Sequence, residues 1–146
     1  MSKKEIIEFI KKALRKEKVS KIFDISFKEY DNNVESEIEI FKDSNNKNVA
    51  FILCVNKSTF MSIKKRVWCL AVLLHEIGHF CTSKNKPSGL NEYNAHKWAY
   101  NKAEQLKLFD VMNELKDCII SWGKLSWSKD RIYRQAYNLA LKEKFI

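Results

Sequence analysis

Along this chain the spacing of hydrophobic positions changes from helical to alternating and back to helical. Ile6, Ile7, Phe9, Ile10 and Leu14 recur at helical intervals behind Ser2-Lys3-Lys4-Glu5, which has capping-box spacing. This predicts a first helix ending near Lys18. Phe23, Ile25 and Phe27 then alternate with polar residues, as do Ile38 and Ile40, which predicts two half-buried strands. Asp31-Asn32-Asn33 reads as the turn between them. A turn over residues 43–48 leads to the apolar run 49–55, the expected central strand. A long helix is expected over 62–81, then a polar loop containing Pro87. Another helix follows from Leu90 or Asn91 to about Lys107. Two further helical stretches, 109–122 and 128–144, are divided by Gly123.

The second of these helices carries the chemistry. His75-Glu76-Ile77-Gly78-His79 sets two imidazoles four residues apart, on one face, within reach of one metal ion. Glu76 flanks that face, where a carboxylate can take a proton from a water at the metal. Two histidines on a helix can also be an ordinary polar face. The preceding run Val67-Trp68-Cys69-Leu70-Ala71-Val72-Leu73-Leu74 argues otherwise, because a helix so apolar is largely buried and its polar groups need partners. A catalytic zinc takes three protein ligands and keeps one position open. Glu92, at the start of the following helix, is the best third ligand, since a helical hairpin returns it over His75 and His79. His96 lies four residues further on the same side and is expected to orient a ligand by hydrogen bond. These are all the histidines in the chain.

Composition bounds the rest. At 146 residues the chain is expected to be one domain. Hydrophobic residues at 45% supply a core, and 3 Gly with 1 Pro favour helices over a many-stranded sandwich. No segment has membrane-spanning length and the first residues lack an apolar signal region, so a cytoplasmic location is expected. Cys54, Cys69, Cys81 and Cys118 form no C-x-x-C pair and read as reduced, mostly buried thiols. The net charge of +9 suits nucleic acid, an acidic partner or plain solubility, and its dispersal favours a solvated surface.

Residues 49–99 resemble the ImmA/IrrE group of bacterial and phage metallopeptidases. The similar elements are the strand Phe51-Ile52-Leu53-Cys54-Val55-Asn56, the H-E-x-G-H stretch and Glu92-Tyr93-Asn94-Ala95-His96-Lys97-Trp98-Ala99. The resemblance implies one Zn2+ held by His75, His79 and Glu92, with Glu76 as general base. It also implies that Ala95 and Ala99 let this helix pack close to the motif helix. The family usually has Asn or Asp where His96 stands, which leaves His96 open as an alternative ligand. The resemblance further implies cleavage of a regulatory protein such as a phage or mobile-element repressor. Metzincins would carry Gly and His where Thr82 and Asn85 stand. Peptide deformylases use a cysteine ligand in a Gly-Cys context, whereas Cys54 sits in an apolar strand.

The expected fold is therefore α+β and zincin-like: a short sheet of about three strands packed on the H-E-x-x-H helix and the Glu-bearing helix. Residues 1–107 would form the metallopeptidase core and 108–146 a helical segment packed on it. Two alternatives stand beside the zinc endopeptidase. One is a SprT-like protease acting near DNA, with His96 as third ligand. The other is a zinc-containing binding module that does not cleave. Its working part would be the C-terminal pair with Trp122, Trp127, Arg131, Tyr133, Arg134 and Tyr137, arranged like a helix-turn-helix. Closure of the core by these aromatics is the plainer account of them. Glu76 discriminates, because a purely structural site needs no general base. Tyr93 is conceivable as an oxyanion donor, although a packed tyrosine is the plainer reading.

Overall fold

The computed structural model describes residues 1–30, 35–82, 88–125 and 131–146. The expected turn at Asp31-Asn32-Asn33, the middle of the Pro87 loop, Trp127 and residues 128–130 lie outside the described residues. Helix α1 (Lys3–Leu14) opens on the capping box its sequence announces. Ser2 Oγ accepts from Glu5 N at 3.2 Å and Glu5 Oε1 accepts from Ser2 N at 3.3 Å. The helix stops a turn short of Lys18. Beyond Leu14 there is no apolar side chain to bury on this face, and Glu17 turns to meet Lys102 Nζ at 2.7 Å.

Strands β1 (Phe23–Lys28), β2 (Ser36–Lys42) and β3 (Asn48–Asn56) form a mixed sheet of order β1-β3-β2. β3 is central, as its apolar run predicts. It pairs parallel with β1 (Ile25 opposite Leu53) and antiparallel with β2 (Ile38 opposite Leu53). The β2–β3 turn is closed by Asp43, whose Oδ1 accepts from Asn45 N and Lys47 N, and by Asn46 at φ 61°. Phe51, Leu53 and Val55 point to the buried face, where Phe51 meets Phe80 of the motif helix at 4.7 Å.

The motif helix α3 (Arg66–Thr82) begins later than expected. Asn56 ends β3 and its side chain accepts from Ser58 N at 3.0 Å, capping a single helical turn, α2 (Lys57–Phe60). Phe60 is fully buried and anchors that turn, and a 3-10 turn at Ile63–Lys65 then carries the chain into α3. Ser88 caps α4 (Gly89–Gln105) by accepting from Asn91 N at 3.1 Å. α5 (Phe109–Trp122) packs on α3 and α4, and α6 (Arg131–Lys142) on α4 and α5. The main core joins Ile6 and Ile10 of α1, the inward residues of the sheet, and Leu73, Leu74 and Ile77 of α3. Val111 and Leu115 of α5 belong to this same core, so burial is continuous across residue 107. A smaller cluster of Tyr93, Ile119, Ala136 and Ala140 seats α6. No helix among the described residues is long and apolar enough to cross a membrane.

Candidate metal centre

A close helix contact builds the site. A Cβ placed on Gly78 would lie 2.4 Å from the carbonyl oxygen of Ala95, and Ala95 and Ala99 are fully buried. Only glycine permits that approach, which brings the first turn of α4 over the end of α3. His75 and His79 of α3 then face Glu92 of α4. His75 Nε2 and His79 Nε2 lie 3.0 and 3.2 Å from Glu92 Oε2, and 3.2 Å from each other. All three side chains are 13–15% exposed.

This triangle cannot be satisfied by hydrogen bonds alone. Burial opposes ionisation of Glu92, but bonds from His75 and His79 hold its carboxyl well below the usual carboxylate range. With the carboxylate ionised and both imidazoles neutral, each ring nitrogen is either a donor or an acceptor. If both donate, their 3.2 Å contact sets donor against donor; if either does not, it sets a lone pair against the carboxylate. One cation bound by all three atoms removes the conflict. Donors on a tetrahedron with bonds of about 2.0 Å stand about 3.3 Å apart, close to the observed edges. Two imidazoles and one carboxylate are also a donor set suited to zinc. His75, His79 and Glu92 therefore can hold a metal ion.

His96 stands behind this triangle rather than in it. It is 1% exposed, and burial, with repulsion from His75, pushes its pKa down to about 3, so it is neutral. Its Nε2–H donates to the carbonyl of Leu115 on α5. Its Nδ1, 3.0 Å from His75 Nδ1, is then left to accept a hydrogen bond from His75 Nδ1–H. With a cation at the triangle in place of the bonds to Glu92, His75 would keep its proton on Nδ1 and turn its Nε2 lone pair to the cation. Burial lowers the pKa of His79, but the hydrogen bond and charge of Glu92 outweigh it and raise the value overall.

Glu76 and His75 border a cavity of about 400 Å3 between α3, the start of β2 and α5. Trp68, Ala71 and Val72 continue the same helix face, three, four, seven and eight residues apart in the manner of an amphipathic stripe. Trp122 closes the far side. Its ring lies 4.8 Å from His96, 5.9 Å from His75 and 5.0 Å from Tyr133. The helical spacing of Trp68 and His75 announces the Trp68 wall. Nothing in the sequence announces Trp122 over the histidines, the Leu115 acceptor or Glu35 at the cavity rim, because each crosses between distant elements.

The remaining candidates are placed elsewhere. Tyr93 is 2% exposed and donates to Glu143 Oε2 at 2.6 Å, so it joins α4 to the chain end and takes no part in the cavity. Arg131 and Arg134 are exposed on α6, while Tyr137 packs on Gly123. All four cysteines are free; Cys69 is buried and the other three are half-buried. Comparison with protein-family models, curated protein sequences and solved structures finds no match to this chain.

Proposed function

We propose that this protein is a zinc-dependent endopeptidase. His75, His79 and Glu92 would hold one Zn2+, Glu76 would be the general base and His96 would set the tautomer of His75. The observation that carries the reading is the triangle of two imidazole nitrogens and one carboxylate oxygen, with Glu76 beside it on the open cavity. Zinc bound there supplies Lewis-acid chemistry, polarising a carbonyl and acidifying water. Glu76 accepts the proton of the attacking water and returns it to the leaving amine nitrogen. Trp122 shields the His75–His96 pair from solvent, which strengthens the hydrogen bond between them. The outer edge of β2 makes no pairing among the described residues and begins at Ser36 on the cavity rim, where an extended peptide can add as a strand.

The substrate we propose is a regulatory protein such as a DNA-binding repressor, on the ImmA/IrrE resemblance; the zincin-like description of the fold belongs to this same reading. The three-histidine alternative has less support, because both nitrogens of His96 are engaged with His75 and Leu115. A non-catalytic module does not account for Glu76 on the cavity wall.

Two measurements test the proposal together. Purified His75→Ala, His79→Ala and Glu92→Ala should each lose zinc, whereas Glu76→Gln should keep it. A mixture-based peptide library should be cleaved by the zinc-loaded protein and not by Glu76→Gln. Cleavage by both proteins at similar rates would sink the general-base role.

A further inference from the structure

The cavity beside Glu76 holds a second carboxylate that the peptidase reading leaves unused. Glu35 precedes β2, with its backbone fixed by the bond from Asn56 N to Glu35 O at 2.9 Å. Its Oε2 is buried and has no hydrogen-bond partner among the described residues. Ionised carboxylate oxygens are rarely left in that condition, because the loss of hydration is not returned. Among the described residues, Glu35 and Glu76 are the only Asp, Glu, Lys or Arg that line the cavity, although the chain has 27 Lys and Arg. A strongly basic protein therefore keeps one concavity acidic.

The walls around Glu35 define what it would accept. Trp68, Trp122 and Tyr133 supply aromatic faces, and Val72 an apolar surface between them. Aromatic faces attract cations, and the stem of a long basic side chain packs well on apolar surface. A volume of about 400 Å3 is within the range of about 300–1,000 Å3 common to ligand sites. We infer that Glu35 and these walls form a subsite for a cationic side chain of the substrate, arginine before lysine, beside the bond Glu76 helps to break. Arginine is preferred because its planar guanidinium can stack on an indole while pairing with a carboxylate. An acidic side chain would face two carboxylates, and a neutral one would leave the charge of Glu35 uncompensated. The assignment of a substrate rests on the peptidase reading; the cation site itself does not.

The test uses the full-length zinc-loaded protein and butylguanidinium, an arginine side-chain mimic, followed by tryptophan fluorescence. Saturable binding is expected, at least tenfold weaker in Glu35→Gln, with no response to pentanol or pentanoate. Glu35→Gln keeps the size and shape of the side chain, so it should fold like the parent, which thermal unfolding checks. Absence of binding to the parent, or equal binding to both proteins, overturns the inference. In a cleaved peptide library, Arg or Lys should be enriched at one position and the enrichment lost in Glu35→Gln. Cleavage with no basic preference would refute the subsite and leave the peptidase standing. Glu35-dependent butylguanidinium binding with no cleavage would sustain the cation site and sink the peptidase.

Discussion

Replacing His96 with Ala separates an orienting histidine from a metal ligand by magnitude. In the structure the ring bridges His75 Nδ1, at 3.0 Å, and the Leu115 carbonyl, and it is 1% exposed. Without it, His75 is free to rotate and to place its proton on either nitrogen. Loss of such an outer partner costs about 10–100-fold in metal affinity, equivalent to about 1.4–2.7 kcal/mol. Loss of a true ligand would cost far more, because zinc would keep only two protein donors. Folding stability should fall independently. The Leu115 carbonyl keeps its helical bond but loses the one from His96, worth about 0.5–1.5 kcal/mol, and the vacated ring volume adds a cavity penalty. The assay is competition for zinc against a chromogenic chelator, run beside urea unfolding of the metal-free protein. A drop within the expected range, with zinc still bound at one per chain, supports the orienting role. Affinity unchanged within twofold would refute the tautomer argument, and complete loss of zinc in a folded protein would make His96 a ligand.

Further consequences follow from other contacts. Gly78→Ala should destabilise the protein by about 1–3 kcal/mol and weaken zinc binding as well, because its methyl meets the Ala95 backbone at 2.4 Å; calorimetry with and without zinc reads both effects. Glu17→Gln should cost about 1–3 kcal/mol in urea unfolding, since Lys102 is 5% exposed and Glu17 holds it at 2.7 Å. With pH, the metal-free and zinc-bound proteins should diverge. Raised from 6.5 in the fold, His79 stabilises the metal-free protein fully below that value, and the contribution is lost as pH climbs through the raised pKa. Glu92, depressed from 4.5, contributes above that value and loses its contribution as pH falls through the depressed one. The metal-free pair is thus strongest between about pH 4.5 and 6.5, whereas zinc displaces the His79 proton and stabilises more as pH rises. Thermal shifts on adding zinc should grow from pH 5.5 to 8; a constant shift would show that no imidazole proton is displaced.

Local signals in the sequence give the three strands, the longer helices and the residues at the centre of the candidate site. Four-residue spacing of His75 and His79, and a polar loop short enough to fold back, place Glu92 opposite them as expected. The run 49–55 reads as a central strand because it is continuously apolar, and it lies between β1 and β2 in the sheet. α3 starts later than its apolar pattern predicts because the Asn56 cap and buried Phe60 first close a separate helical turn, which periodicity does not register. A boundary at 107 suited the loop after Lys107, yet Leu115 sits in the main core and holds His96. Residues 108–146 therefore contribute to the site as well as to the core. The cavity walls combine residues from β2, α3, α5 and α6, and only packing brings them together.

The metal centre is tested most directly by anomalous scattering at the zinc edge from a crystal of the zinc-loaded protein. The account predicts one peak bonded to His75 Nε2, His79 Nε2 and Glu92 Oε2 at about 2.0–2.2 Å, with His96 outside bonding distance. A peak on His96, or no peak at this triangle in a crystal grown with zinc, would contradict it.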